Sequence, residues 1–356
     1  MPKNLALFPM TRDMCAVARY ASLLRGFTLS HLFIPAYTRM EGSDVSQLDG
    51  GDCLSLKLVY YSKDRLSGCD VLFVDYDENL ADLSLCKEVI ADAKEMGKEV
   101  VCSHVVEHML RETALTWPID PPKEEQPGTD CLYPIQIPVV TVLSQGERTD
   151  QFAVELVLNK YFTEEGYNVS QISSLKVGGM FGFHNMPGFL YEPMDVYQKI
   201  LEFNRYVKKL IEKEQPHLLV MGVPGGIMKY SDKLLKGMGV LPFIICNAVR
   251  SDLHVLSMYY SEYSRTYFDE MSMYGSYRLG SPIQFFNVAN SCLDANASSE
   301  TLKIDYVDLE SNFVLNSLQR IEAGENHIFN VLNHESSKNA CVAIKEALIG
   351  NVRYVS

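Results

Sequence analysis

The second half of the chain opens with Val139-Val140-Thr141-Val142-Leu143-Ser144-Gln145-Gly146-Glu147-Arg148-Thr149-Asp150-Gln151. Its first five residues are apolar or β-branched, which is typical of a short strand buried on both faces of a parallel sheet. A tight polar turn follows. Apolar residues then recur at positions 154, 157, 158, 161 and 162, on one face of a helix. The stretch therefore predicts a strand, a loop and a helix in succession.

The same alternation extends in both directions from this unit. Towards the N-terminus, the patterns predict strands at 5–8, 29–34, 71–74 and 99–102, with helices at 13–24 and 83–96. Towards the C-terminus, they predict a long helix at 196–211, strands at 218–221, 243–246 and 301–309, and a helix at 340–348. Alternating strands and helices predict an α/β fold with mainly parallel sheets.

A chain of 356 residues is long enough for two domains. Six prolines and several charges lie between Trp117 and Pro138 without a helical or alternating pattern, as in a partly stiff linker. We therefore predict a Rossmann-like α/β domain at 1–116, a proline-rich linker at 117–138, and a P-loop-like α/β domain with a C-terminal helix at 139–356.

Composition bears on the partners and the compartment. The 45 acidic and 32 basic residues give a net charge of -13, which disfavours binding to nucleic acid and to anionic membranes. No apolar run is long enough to span a bilayer, and no signal-peptide pattern opens the chain. Nine scattered cysteines without a CxxC pair are typical of reduced proteins. We expect a cytoplasmic protein without nucleic-acid or membrane partners.

The loop 144–151 lies where a phosphate-binding loop would lie, but its residues differ from that motif. Ser144, Thr149, Asp150 and Gln151 stand where GxxxxGK[ST] has glycine, glycine, lysine and a hydroxyl residue. An aspartate beside phosphates repels them. We therefore predict that ATP and GTP hydrolysis is absent or very slow, which leaves an altered anion or carboxylate site, or no site.

Two further patterns carry little weight for catalysis. His104-Val105-Val106-Glu107-His108 matches the HxxEH pattern of zinc peptidases, yet it follows a Rossmann-type strand and has no identifiable third ligand. We interpret it as an ordinary helix and predict no metal. The first turn of the chain, around Asp13, lacks GxGxxG, which argues against a dinucleotide site there.

Three loops are candidates for one binding site, namely 144–151, 178–188 and 222–227. Two of them follow predicted parallel strands, whose carboxyl ends share one edge of the sheet. We predict a pocket in which Arg148 supplies positive charge, polar side chains supply hydrogen bonds, and a Gly-rich turn forms the wall. The predicted residues are Gln145, Gly146, Arg148, His184, Pro224, Gly225, Gly226 and, after the strand at 243–246, Asn247. The alternative is three unrelated turns shaped by packing.

A tyrosine-rich stretch follows this region, between Met258 and Tyr277. Tyr259, Tyr263 and Tyr267 are spaced for one helical stripe. Such a stripe fits either a helix that covers the edge of a core or an adaptable binding surface.

Together, the segment 139–152, Gly182-Phe183-His184 and Met221-Gly222-Val223-Pro224-Gly225-Gly226-Ile227-Met228 resemble a peptide maturation system family of Clostridia and relatives. That family is associated with radical SAM maturases and small Cys-rich precursor peptides. The resemblance implies an accessory protein in the maturation of a ribosomally synthesised peptide natural product such as a bacteriocin. Its ligand would be a precursor peptide, a maturase or a small molecule.

The second domain also resembles a degenerate SIMIBI-type P-loop domain, without the lysine of that branch. This likeness implies the alternative of a nucleotide-binding or carboxylate-activating enzyme, with a nucleotide as cofactor. Neither resemblance assigns a catalytic residue.

Overall fold

The computed structural model describes residues 1–110, 131–235, 238–294, 297–298, 300, 303–321, 324 and 326–353. Its strands are, in chain order, β1 (Lys3–Phe8), β2 (Phe27–Ile34), β3 (Leu58–Tyr60), β4 (Val71–Val74), β5 (Glu99–Cys102), β6 (Val139–Ser144), β7 (Val169–Ser173), β8 (His184–Asn185), β9 (Leu218–Gly226), β10 (Leu253–Met258), β11 (Ile283–Val288), β12 (Ser291–Asp294), β13 (Asp305–Asp308) and β14 (His327–Phe329).

The α-helices are α1 (Cys15–Arg19), α2 (Leu83–Glu95), α3 (His104–Leu110), α4 (Gln151–Glu164), α5 (Val196–Glu214), α6 (Val240–Ala248), α7 (Arg265–Arg278), α8 (Ser311–Leu318) and α9 (His334–Arg353). In the described part of the chain, none of them is both long enough and apolar enough to cross a membrane.

The chain divides into two compact units. The first comprises Met1–Asp120 and Leu175–Asn185, and the second comprises Pro121–Ser174 and Met186–Ser356. The segment Leu175–Asn185, which the sequence placed in the second domain, is thus grouped with the first unit. Most of the predicted linker, residues 117–130, lies outside the described residues. The predicted domain bounds therefore stay a prediction.

The first unit contains a five-stranded parallel sheet in the order β3-β2-β1-β4-β5. Helix α2 begins where the Asp82 carboxylate accepts a hydrogen bond from the Leu85 N–H at 2.8 Å, and it buries Cys86, Val89, Ile90 and Ala93. These side chains join a core with the buried strand residues Phe8, Leu72 and Val74. The predicted Rossmann-like arrangement is confirmed in this sheet.

In the second unit, the strands lie in the order β14-β11-β10-β6-β9-β7, and neighbours in this series run parallel. Strand β6 lies between β10 and β9 and is buried along its whole length. This is why its sequence is a continuous apolar run rather than an alternating one. Strands β12 and β13 form a separate antiparallel pair. The predicted α/β class with mainly parallel sheets is confirmed.

Three predicted elements differ in the structure. Residues 243–246 belong to helix α6, not to a strand. Helix α6 is apolar on nearly all sides and largely buried, and such a helix cannot be told from a buried strand by periodicity. Helix α7 begins only at Arg265, which leaves Tyr259 and Tyr263 before it. The helix predicted at 13–24 is reduced to α1 and the 3-10 turn Ala21–Leu23.

Candidate functional site

The loop after β6 lies at the carboxyl edge of the sheet in the second unit, between the ends of two neighbouring strands. The Gln145 N–H donates a hydrogen bond to the Ser257 carbonyl of β10 at 2.8 Å. The Ile227 N–H, just beyond β9, donates to the Ser144 carbonyl at 2.8 Å. The loop is therefore fixed on both sides at the place where open parallel sheets bind ligands.

The loop holds its own conformation through internal hydrogen bonds. The Thr149 hydroxyl donates to the Gly146 carbonyl at 3.0 Å. Gln151, at the position of the P-loop hydroxyl residue, donates through Nε2 to the carbonyls of Val142 at 2.9 Å and Val223 at 2.8 Å. Its side chain is thus committed to the main chain of β6 and β9, not directed at a metal ion.

Two tyrosine hydroxyls close the loop. The Glu147 N–H donates to the Tyr230 hydroxyl at 3.1 Å, and the Tyr259 hydroxyl donates to the Glu147 carbonyl at 2.8 Å. The two phenol oxygens are 2.8 Å apart. A Cβ atom at Gly146 would overlap the Tyr230 hydroxyl, so only glycine allows this approach. The Tyr230 phenol oxygen therefore lies against a backbone N–H of the kind that a P-loop presents to phosphate.

Gln145 is the polar centre of the tyrosine cluster. Its Nε2 donates to the Tyr267 hydroxyl at 2.6 Å, while its Oε1 accepts from the Tyr259 N–H at 3.0 Å and from the Tyr263 hydroxyl at 3.5 Å. The rings of Tyr263 and Tyr267 lie 4.5 Å apart between centroids. The tyrosine-rich stretch therefore converges on the loop through one amide side chain.

Arg148 lies beside this cluster with its charge already compensated. Its Nη2 donates to both carboxylate oxygens of Asp308, at 3.0 and 2.9 Å. The guanidinium carbon lies 4.8 Å from the centroid of the Tyr306 ring, in a cation–π contact. The Arg148 side chain is 18% exposed. A ligand that binds Arg148 would have to share it with Asp308 or replace that carboxylate.

The phenols of the cluster are neutral at physiological pH. Burial, together with a smaller effect of the nearby Glu147 carboxylate, raises the pKa of Tyr230 to about 12. Burial likewise raises the pKa values of Tyr259, Tyr263 and Tyr306 well above the ordinary value. The phenols therefore add no negative charge to the site.

The Gly-rich turn at the end of β9 lies against the loop. The Ser144 hydroxyl donates to the Gly225 carbonyl at 3.2 Å, and a Cβ on Gly226 would overlap the Gln145 carbonyl. Pro224 precedes this pair within the same strand. The structure thus brings together the predicted residues of the loop and of the turn, because β6 and β9 are adjacent and parallel.

The two remaining predicted site residues, His184 and Asn247, have different outcomes. His184 is buried in β8, within the segment grouped with the first unit, so its convergence with the loop stays a prediction. Asn247 lies near the C-terminal end of α6 and donates to the carbonyls of Phe243 at 2.7 Å and Arg278 at 3.2 Å. Helices α6 and α7 end where they lead into β10 and β11, at the opposite, amino edge of the sheet. The prediction for Asn247 depended on a strand at 243–246, and these residues belong to helix α6, so the prediction that Asn247 reaches the rim of this site is wrong.

The sequence patterns missed several residues that complete the site. Tyr230, Tyr306 and Asp308 are far from the loop in sequence and belong to no motif. Asn287, at the end of β11, donates to the Thr149 carbonyl at 3.1 Å and accepts from the Val331 N–H at 2.8 Å. The only feature of the sequence that could have pointed to these residues is their position. Each lies at or beyond the end of a strand, or in the short antiparallel pair.

Glu155 is a fully buried carboxyl group on helix α4. Its Oε2 accepts from the Ser173 hydroxyl and the Ser174 N–H, both at 3.2 Å, and its Oε1 accepts from the Ser174 hydroxyl. Gly222 of β9 provides the space, because a Cβ there would overlap the carboxylate. Burial raises the pKa of Glu155 to about 7, although the hydrogen bonds favour the ionised form.

The HxxEH segment forms part of α3 in the first unit. Its Glu107 pairs with Lys176, and the His104 Nδ1 lies 3.7 Å from the Glu107 Oε2. Burial lowers the pKa of His104 to about 4, with a smaller effect of the Lys176 charge. The central glutamate is thus engaged in an ion pair with a lysine, an arrangement that neutralises it. Among the residues that the structure describes, no three His, Cys, Asp or Glu side chains group as a metal site.

Comparison with solved structures shows the fold. The chain is similar to a DUF1611 family protein from Anabaena variabilis at a TM-score of 0.59 and 10% sequence identity, covering 98% of this chain and 99% of that one. It is more distantly similar to a pseudomurein peptide ligase type C from Methanothermus fervidus, at a TM-score of 0.25 and 12% identity over 71% of this chain and 37% of that one.

A GTPase in apo form from Pyrococcus abyssi gives a TM-score of 0.32 and 13% identity over 59% of this chain and 97% of that one. No family model and no curated protein matches the chain. The likeness to the DUF1611 family protein, over nearly the full length of both chains, agrees with the α/β architecture.

Proposed function

We propose that the second unit is a binding module which receives a carboxylate group of its ligand beside the loop 144–151 and does not hydrolyse nucleoside triphosphates. The observation that carries this proposal is the pairing of Arg148 with both oxygens of Asp308 above the Tyr306 ring. The loop's arginine already holds a carboxylate in a two-oxygen geometry, and a ligand carboxylate fits the same geometry.

Charge favours one carboxylate over a triphosphate at this place. Glu147, Asp150 and Asp308 lie in or against the loop, whereas Arg148 is the only lysine or arginine of the segment 144–151. A polyphosphate would meet repulsion from the acidic groups. A single carboxylate needs only one cation, which Arg148 supplies, and beside it lie neutral phenols instead of further negative charges.

Binding of a minimal carboxylate, N-acetylglycine, tests the proposal. We expect N-acetylglycine to raise the melting temperature of the protein, and Arg148→Gln to weaken its binding by about tenfold or more, the cost of a charged hydrogen-bonded contact. Arg205→Gln is the matched control, because the Arg205 side chain is 19% exposed and pairs with Glu202 on α5. Equal affinities of the wild type and Arg148→Gln would contradict the proposal.

The biological role of the whole protein is proposed from the sequence resemblance to the peptide maturation system family. On that ground we propose a cytoplasmic accessory protein in the maturation of a ribosomally synthesised peptide, with a precursor peptide and a radical SAM maturase as partners. Support would come from a neighbouring gene for each partner and from their retention on the immobilised protein. Retention of neither partner by the full chain would remove this role while leaving the carboxylate site open to its own test.

A further inference from the structure

The carboxylate that Arg148 holds comes from a different sheet. Asp308 is the last residue of β13, which pairs with β12 in a two-stranded sheet of its own. Arg148 lies in the loop that follows β6. The Arg148 Nη2 donates to the two Asp308 oxygens at 3.0 and 2.9 Å. Side-chain contact between Arg148 and Asp308 thus joins the loop to the β12–β13 pair, and a change at this contact need not disturb the ladder around β6.

The Arg148 guanidinium is held by more than the Asp308 carboxylate. Tyr306 lies two residues before Asp308, on the same face of β13. Its ring centroid is 4.8 Å from the guanidinium carbon and 5.8 Å from the centroid of the Tyr259 ring. The main chain of Arg148 has a φ of 60°, in the left-handed region that residues with a Cβ rarely adopt. The loop conformation and the Tyr306 ring therefore keep the guanidinium in place when Asp308 rotates away.

The Asp308 side chain can rotate while the main chain around it stays fixed. The Leu309 N–H donates to the Asn290 carbonyl at 2.8 Å, and the Tyr260 N–H donates at 2.7 Å to the carbonyl of Ser291, which is opposite Asp308 in the pair. The Asp308 side chain is 38% exposed, so its rotated carboxylate would be hydrated. Ion pairs at such exposed positions contribute little to stability, because water and salt screen them.

We propose that Asp308 is an internal competitor for the carboxylate site, which occupies Arg148 until a ligand carboxylate replaces it. This inference rests on the proposed function and adds the regulation of the same site. Binding of the ligand releases Asp308 from Arg148. The apparent affinity is lowered by the fraction of molecules in which Asp308 holds the arginine. The contact is therefore autoinhibitory, and the site favours ligands that offer two oxygens, as Asp308 does.

The affinity of the full chain for N-acetylglycine, measured by calorimetry, tests the competition. We expect Asp308→Asn to bind N-acetylglycine about three- to tenfold more tightly than the wild type, because a neutral amide competes poorly for a guanidinium. Glu310→Gln is the matched control, since it removes one negative charge from an exposed side chain next but one to Asp308 in the sequence. Its affinity should change by less than about twofold, because solvent screens that charge. Equal gains in the two variants would overturn the competition.

The gain from Asp308→Asn must also depend on Arg148. Adding Asp308→Asn to Arg148→Gln should not restore the binding of N-acetylglycine, because the two changes act on one contact. Restored binding in the double variant would assign the effect to charge alone and overturn the competition.

Failure of the competition can be told from failure of the carboxylate site. If Arg148→Gln weakens binding and Asp308→Asn leaves it unchanged or weaker, the carboxylate site stands and Asp308 is not a competitor. Binding to Asp308→Asn but not to the wild type would support both the site and the competition. Binding to neither protein at about 10 mM would contradict the site, and the competition with it.

Discussion

Gly146 has no side chain, and the Tyr230 hydroxyl occupies the space that a Cβ would take. The Tyr259 hydroxyl lies 2.6 Å from the same position. The closure of the loop by phenols therefore depends on one glycine. This glycine serves a close approach between side chains and main chain and not a special backbone angle.

Gly146→Ala should destabilise the protein by about 1–3 kcal/mol, because Tyr230 must leave the loop to make room. Urea unfolding would measure the loss. Gly188→Ala is a suitable control, since a Cβ there meets no atom within 4 Å. The cost of Gly146→Ala should shrink in the background of Tyr230→Ala, because the two changes are coupled. An undiminished cost in that background would show that Tyr230 is not the obstacle.

Glu155 should make stability depend on pH. Its pKa is raised from 4.5 to about 7 in the folded protein, so the folded state binds the proton more tightly than the unfolded state. This contribution to stability is fully present below about pH 4.5 and is lost as the pH rises towards and through about 7. Glu155→Gln removes that dependence. Relative to the wild type, the variant should gain up to ~3 kcal/mol between about pH 5 and about pH 8.

Urea unfolding at both pH values measures this relative change. Glu164→Gln on the same helix is the control, because Glu164 has a side chain that is 66% exposed. An identical pH profile for Glu155→Gln and the wild type would mean that Glu155 does not titrate in this range. The burial of Glu155 was not predicted from the sequence, because a glutamate within a helix is ordinarily exposed. Its partners Ser173, Ser174 and Gly222 are distant in sequence, and no local pattern indicates that they surround its carboxyl group.

At the scale of elements, apolar runs predicted strands well where a parallel neighbour lies on each side. Strands β6 and β9 are such cases. The same reasoning failed for α6, because a helix buried on nearly all sides presents the same continuous run. The short strand β14 pairs with β11, which lies far away along the chain, and local sequence carries little information about such pairing.

Helix α5 begins at a cap that can be tested alone. The Asp195 Oδ1 accepts hydrogen bonds from the N–H groups of Tyr197 at 2.9 Å and Gln198 at 3.4 Å. Asp195→Ala should cost about 1 kcal/mol of stability, because these amides lose their partner. Asp195→Asn should retain most of it, since asparagine caps helices nearly as well. Equal losses in the two variants, measured by urea unfolding, would assign the effect to the charge instead of the cap.

At the scale of the whole molecule, two α/β units with mainly parallel sheets followed from alternation of patterns along the chain. What the patterns could not show is that Leu175–Asn185 leaves the second unit and joins the first. That segment is Gly-rich and apolar, so it must pack on something, but composition does not say on what. The position of His184 relative to the loop depends on this crossing, so the predicted convergence of His184 with the loop stays a prediction. The loop and the Gly-rich turn were predictable because they follow adjacent strands of one sheet.

The last prediction concerns catalysis by the whole chain, namely that it does not turn over ATP or GTP. Asp150 stands at the position of the P-loop lysine, Gln151 is bonded to β6 and β9, and the Glu147 N–H is taken by Tyr230. The second unit thus has a strand, a loop and a helix in the order of a P-loop, but these groups of the loop form hydrogen bonds within the protein and are not available to a nucleotide. Turnover near or above about 1 per second, in the usual range of enzymes, would contradict this.

Asp150→Lys should not create such activity, because the new lysine would face a loop whose Glu147 amide still bonds to a phenol. Adding Tyr230→Phe removes that hydroxyl and should permit binding of inorganic phosphate before it permits hydrolysis, since a hydroxyl residue for magnesium is still missing. Phosphate release by the purified chain and by both variants, with magnesium present, decides the matter. Activity in Asp150→Lys alone would show that the lysine was the sole missing part and that the tyrosine closure does not limit access.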